Sequence, residues 1–363
     1  MDIKVSENQL FFSQKLMNWH HTINKREMPW KGEKNPYKIW LSEIILQQTR
    51  VEQGRSYYEK FIVNYPTIVD LAAANDDDAF KLWEGLGYYS RCKNLLFTAR
   101  TIAEKHGGVF PQSHAEILAL KGIGPYTAAA ISSFAYNLPH AVLDGNVYRV
   151  LARFFGIHVP SDSTEGKKLF TALADACLDK NAPAAYNQAI MDFGATVCMP
   201  ANPLCNDCPV QDKCVALQTG MISQLPVKTK QLVKRSRWFT YFIIEYDKKH
   251  LVRKRDGKDI WQNLHEFYLE ESTVQSNWTD GSIKMFMENS LNIKTEVVHR
   301  SATFTQQLTH QTIFAQFILV QSLSAFDAPA DYFWQPIDAI NKLAFPKTIT
   351  QYFNLSLFQT TMF

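Results

Sequence analysis

Four of the six cysteines fall in one segment, Cys198-Met-Pro-Ala-Asn-Pro-Leu-Cys205-Asn-Asp-Cys208-Pro-Val-Gln-Asp-Lys-Cys214, with six, two and five residues between them. Thiols this dense either pair as disulfides or hold a metal centre. The N-terminal stretch MDIKVSENQLFFSQKLMNWHH lacks a basic start, an apolar block and a small-residue cleavage site. That predicts the reducing cytoplasm, where clustered cysteines bind metal more often than they pair. Four thiolates suit zinc and an iron–sulfur cluster alike. Zinc sites favour two close pairs, and here only Cys205 and Cys208 are close, so the spacing leans to iron–sulfur and leaves zinc open.

A chain of 363 residues predicts two domains. Hydrophobic residues at 46% and charged ones at 20% are an ordinary globular balance. No apolar run is long enough to span a bilayer. A net charge of +3 barely favours an anionic partner. The basic runs Lys228–Arg237 and Lys248–Arg255 read equally well as a solvated linker and a solvated hairpin.

Up to about residue 220 the pattern is helical. Leu10, Phe12, Leu16, Trp19 and Ile23 recur at three- and four-residue steps. Asn35-Pro36 reads as cap and first-turn proline, and Asn75 as the cap of a helix that stops at Gly85. Further helices are expected over 89–106, 113–120, 125–136, 146–156, 164–178 and 184–195. Beyond the cysteines, 237–246, 250–255 and 313–320 read as strands, with Asp256-Gly257 as a hairpin turn. A basic linker over 221–236 thus separates an all-α region, 1–220, from a smaller α+β domain, 237–363.

Leu120-Lys-Gly122-Ile-Gly124-Pro-Tyr126 joins two short helices through glycines. Such a hairpin can approach another surface closely and present backbone N–H groups to a phosphate, or it can be a tight turn with no ligand. Asp144, in Leu143-Asp144-Gly-Asn146-Val, precedes a helix and on its own reads as an N-cap. Glu43 sits among Trp40, Leu41, Ile44, Ile45 and Leu46. It is either an exposed helix carboxylate or a buried one whose pKa rises until it can act as an acid near neutral pH.

Taken together, Met28-Pro-Trp30, Ser42-Glu43-Ile-Ile-Leu46-Gln47-Gln48-Thr49, Gly85-Leu-Gly87-Tyr88-Tyr89, the Gly122–Tyr126 hairpin, Leu143–Val147 and the cysteine segment resemble the MutY-type adenine DNA glycosylases along nearly the whole chain. The resemblance implies a multi-domain fold. One part is an all-α helix-hairpin-helix glycosylase region, with a six-helix part at about 29–137 and an iron–sulfur part at 1–28 and 138–220. The other is an α+β Nudix-like domain. It further implies a [4Fe–4S] cluster on Cys198, Cys205, Cys208 and Cys214, pinning a loop in which Lys213 meets DNA. Glu43 would protonate adenine at N7, and Asp144, kept ionised by its helix N-terminus, would stabilise the oxocarbenium ion, with Tyr126 and Asn146 positioned beside them. Arg26, Trp30 and Leu46 would surround the flipped adenine, with Lys31 where many relatives have arginine. Gly122 and Gly124 would grip the backbone. Gln48 and Tyr88 would fill the vacated stack, and Thr49 and Leu86 would lie beside the opposite base. The product would be free adenine and an abasic site in duplex DNA carrying adenine opposite 8-oxoguanine or guanine, the enzyme acting as a monomer.

Trp261-Gln-Asn-Leu-His-Glu-Phe267 resembles a strand of the family's C-terminal domain, and no magnesium-binding Nudix box is present. That domain would recognise the lesion through a loop that usually reads Phe-Ser-His; here it reads Leu308-Thr309-His310. Taken alone, these three residues also suit a polar turn. Two rivals stand beside this reading. One is an endonuclease III-like pyrimidine glycosylase and lyase, which would carry lysine at position 126 where tyrosine stands. The other is a cluster-bearing DNA-binding protein without activity, which would not need both Glu43 and Asp144.

Overall fold

The computed structural model describes residues 6–229 and 234–354, so residues 230–233 of the expected linker and both chain ends lie outside the described residues. Helix starts follow local capping chemistry. Ser6, Asn35, Asn75, Ser113, Asp144 and Ser163 each accept a backbone N–H two or three residues on. Pro36, Pro125 and Pro183 sit in first turns, where their missing N–H costs nothing. The helices that follow are α1 (Glu7–Thr22), α2 (Pro36–Leu46), α3 (Val51–Asn64), α4 (Ile68–Ala73), α5 (Asp76–Trp83), α6 (Ser90–Lys105), α7 (His114–Ala119), α8 (Pro125–Tyr136), α9 (Gly145–Phe155), α10 (Thr164–Cys177), α11 (Pro183–Thr196) and the single turn α12 (Val215–Gln218).

The chain packs as two units. One comprises residues 1–73 and 94–230, the other 74–93 and 231–363. The packing departs from the expected boundaries in two places: 74–93, which holds α5 and the start of α6, belongs with the C-terminal residues, and 221–229 of the expected linker pack with the first unit, where Leu225 is buried in the core. In the first unit, Phe12, Leu16 and Trp19 of α1 meet Leu151 and Phe154 of α9, Phe170 of α10, and Ile190 and Phe193 of α11. The stripe on α1 is narrower than its periodicity suggests, since Leu10 and Ile23 are 53% and 62% exposed. Gly194 lets α9 and α11 touch, because a Cβ there would lie 2.6 Å from that of Asn146.

The second unit is built on a seven-stranded mixed sheet. Its strands are β1 (Arg235–Tyr246), β2 (Lys249–Lys254), β3 (His265–Ser272), β4 (Thr295–Arg300), β5 (Phe304–Gln307), β6 (Gln311–Ser322) and β7 (Tyr332–Pro336). They run in the order β4-β6-β1-β3-β2-β7, with β5 also on β6. β1 and β6 are parallel, from Arg235 opposite Gln311 to Glu245 opposite Gln321; the other pairs are antiparallel. Helix α13 (Asp280–Leu291) covers one face, packing Ile283 and Met287 on Phe242, Ile244 and Ile318. Helix α14 (Lys347–Phe353) is the last helix among the described residues. The tight hairpin turn is at Asp247-Lys248, both residues with positive φ, between β1 and β2. The expected turn at Asp256-Gly257 is instead part of a longer connection to β3, because Arg255 and Asn263 pair their backbones across it. In this unit Lys81 donates to the Leu343 carbonyl at 3.0 Å, and Glu84 accepts from the Phe345 N–H at 2.8 Å.

Candidate active site

One cleft of about 920 Å³ in the first unit is lined by Arg26, Trp30, Glu43, Leu46, Gln48, Thr49, Tyr126, Asp144 and Asn146. Glu43 reaches it from the middle of α2, Tyr126 from the first turn of α8 and Asp144 from the cap of α9. The apolar neighbours of Glu43 bury it to 7% exposure. That burial pushes its carboxyl from 4.5 up to about 7, against a hydrogen bond from Tyr126 that lowers it and with a smaller upward push from Asp144.

Asp144 is an N-cap with a second duty. Oδ1 accepts from the Val147 N–H at 2.8 Å and Oδ2 from the Asn146 amide at 2.7 Å. Burial still raises its carboxyl above the usual value, while those hydrogen bonds and the Arg149 charge oppose the rise. The helix terminus therefore offsets part of the desolvation and does not by itself depress the value. Arg149 also donates to Asn146 Oδ1 at 2.8 Å and to the Cys198 carbonyl at 2.8 Å, joining this carboxylate to the cysteine segment.

Asp192, on α11 and fully buried, has no precedent in the sequence reading. It accepts from Asn24, Arg26, Lys31 and Gln188 at 2.8 to 3.0 Å. Arg26 and Lys31 are thus anchored at the cleft wall, and Gln188 and Met191 line the cleft with them. A carboxylate only accepts, so the Gln188 amide nitrogen faces Asp192 and its oxygen is left for the cleft. The one available signal was the Gln188-Asp192 pair at i,i+4 on a helix.

The hairpin glycines lie outside this cleft. Gly122 has φ +79° and a Cβ there would fall 2.8 Å from Asn94, whereas Gly124 faces open space. Gln48 and Tyr88, in different units, both hold a left-handed backbone, φ +56° and +48°. In the second unit the Tyr88 hydroxyl meets that of Thr309 at 2.6 Å. Thr309 and His310 form the turn between β5 and β6, closed by the Leu308 N–H on the Gln311 carbonyl at 2.8 Å. A second cleft is lined by Tyr88, Trp261, Leu308, Thr309 and His310. The Leu86 side chain is buried, so its main chain is what it can offer a ligand.

The four clustered cysteines are all free of disulfides. They ring one apolar pocket walled by Val150, Phe154, Phe193 and Leu217. Among the described residues no three ligating side chains converge tightly enough for one metal ion. Arg153 lies over the ring of cysteines, donating to Cys198 Sγ at 3.6 Å and to the Met199 carbonyl at 2.7 Å. Lys213 is engaged within the protein, paired with Glu7 at 3.0 Å and set over the Phe11 ring at 4.8 Å. Among the described residues no helix is long and apolar enough to cross a membrane.

Comparison with known proteins agrees with this geometry. Residues 41–173 match the family described as HhH-GPD superfamily base excision DNA repair protein, and 240–355 match the NUDIX domain. The adenine DNA glycosylase of Buchnera aphidicola subsp. Baizongia pistaciae is 33% identical over 94% of this chain and 95% of its own length. The adenine DNA glycosylase of Homo sapiens is 41% identical over 59% of this chain and 41% of its own. Among solved structures, a thermostable thymine-DNA glycosylase aligns with TM-score 0.55 at 28% identity over 58% of this chain and 97% of its own. An endonuclease III–DNA complex aligns at 0.51 and 18%, over 58% of this chain and 95% of that one, a likeness of fold.

Proposed function

Because the chain belongs to the adenine DNA glycosylases, hydrolases of N-glycosyl bonds in DNA repair, we propose that it turns one adenine out of duplex DNA into the Glu43–Asp144 cleft and hydrolyses its bond to deoxyribose there. A base inside a duplex cannot reach buried side chains, so eversion is required. Adenine leaves poorly as an anion. Glu43, protonated up to about pH 7, gives its proton to N7. The breaking bond leaves positive charge on the sugar, which Asp144 meets as an anion oriented by Asn146 and Val147. Tyr126 orients the Glu43 carboxyl. Water completes the reaction, giving free adenine and an abasic site. The logic is that of an acid on the leaving group and an anion at the anomeric carbon. Tyrosine at 126 offers no amine for a Schiff base, so the strand stays intact.

The observation that carries this reading is the convergence of Glu43 and Asp144 on one cleft, the former with a raised pKa. The substrate pairs are adenine opposite 8-oxoguanine and, less tightly, opposite guanine. Gln48 and Tyr88 fill the gap in the stack, Thr49 and Leu86 flank the opposite base, and Thr309 with His310 reads the lesion. Gly122 and Gly124 approach the DNA backbone, while Arg26, Trp30 and Leu46 enclose the adenine. Cys198, Cys205, Cys208 and Cys214 hold a [4Fe–4S] cluster, which when bound fixes the loop they span. A chromosomal substrate puts the protein in the cytoplasm with the DNA.

Single-turnover assays on duplexes with adenine opposite 8-oxoguanine, guanine or thymine test the reading. Strand breaks are expected for the first two, and only after alkali. Breaks without alkali, or equal release opposite thymine, would overturn it.

A further inference from the structure

We propose that Arg91 is a positioning residue that holds Tyr88 in the pose from which it enters the duplex; the inference rests on the reading of Tyr88 as the stack filler. The turn before α6 has φ +89° at Gly85 and +80° at Gly87. Tyr88 follows at φ +48°, a conformation that disfavours any side chain. Tyr88 is 44% exposed, with its hydroxyl on that of Thr309 at 2.6 Å. A strained backbone carrying a half-exposed ring, fixed only at its hydroxyl tip, needs a brace on the face of the ring.

Arg91 supplies one. Its N–H donates to the Tyr88 carbonyl at 2.8 Å. Its guanidinium carbon lies 5.4 Å from the centre of the Tyr88 ring and 5.2 Å from that of Trp83, which is fully buried. Nη2 donates to the Gly87 carbonyl at 3.2 Å, and Trp83 Nε1 donates to the same oxygen at 3.0 Å. The exposed ring is thereby tied to the core through one planar cation. Lysine could keep the charge but not the plane that faces two rings while a nitrogen reaches the carbonyl. Arg91 itself is 8% exposed, which argues against a phosphate contact. Burial lowers its guanidinium to about 10, so it remains charged at neutral pH.

The test is a double-mutant cycle with Arg91→Met and Tyr88→Ala. It uses single-turnover excision from an adenine:8-oxoguanine duplex and the fluorescence of a 2-aminopurine beside the pair, which brightens when the stack opens. Arg91→Met should slow both signals about tenfold, in the range of a desolvated cation–π contact. In the Tyr88→Ala background it should change them less than twofold. Arg91→Lys is measured in parallel and should be slowed as well, so that the cycle can be completed if the methionine variant does not fold. Equal losses in both backgrounds would show that Arg91 acts on the fold at large and would overturn the inference. Normal stack opening by Tyr88→Ala alone would instead overturn the stack-filling reading, and the inference with it.

Discussion

On the proposed mechanism, Glu43 is where a single proton would link stability to activity. Its folded pKa, about 7, stands above the ordinary 4.5. The folded state therefore binds the extra proton between those values, and stability falls as pH rises through that window, then levels off above about 7. The full difference is about 3 kcal/mol. Glu43→Gln should gain up to that amount over the parent at pH 8 and almost nothing at pH 4. Denaturant midpoints at the two pH values check this, and equal gains would mean that the carboxyl is not desolvated. The same variant should lose at least a hundredfold in adenine release while still binding duplex. Release by the parent should fall as pH passes upward through about 7. Tyr126→Phe removes the hydrogen bond that lowers Glu43 and should move that fall to higher pH; an unmoved profile would assign it to another group. The apolar neighbours of Glu43 left exposure and burial both open, and packing of α2 decides for burial. Asp192 was not legible, because three of its partners lie 161 to 168 residues away and nothing local marks a buried carboxylate.

At the scale of elements, local chemistry was readable wherever it decides the outcome. Asn35, Asn75 and the prolines mark helix starts because caps act within three residues. Asp256-Gly257 carries the usual hairpin signature but lies in a longer connection between β2 and β3, while the tight β1–β2 turn went unmarked because Asp247-Lys248 adopts the left-handed conformation without glycine. The α9–α11 crossing is a tertiary fact that one residue permits. Gly194→Ala would drive a methyl against Asn146 and, through it, Asp144. A loss of about 1–3 kcal/mol in stability is expected, together with slower release. A variant as active and stable as the parent would mean that the helices can part without disturbing the carboxylate.

For the molecule as a whole, the partition into units is the feature least visible in sequence. Residues 74–93 read as helix and loop like their neighbours, and a cap says nothing about which core a helix will join. Lys81 and Glu84 join it to Leu343 and Phe345. A chain ending at residue 229 should therefore show faster amide exchange over 76–93 and a weakened preference for the 8-oxoguanine pair. Unchanged protection there would mean that this segment is held without the C-terminal residues.

That allegiance has a temporal side. Ribosomes deliver the chain from its N-terminus, and domains generally fold in that order. Every residue lining the cleft with both carboxylates precedes residue 230, whereas Thr309, which meets the Tyr88 hydroxyl, is translated later. On the proposed function, a nascent chain paused between them would hold the residues of excision before the contact that seats the probing tyrosine.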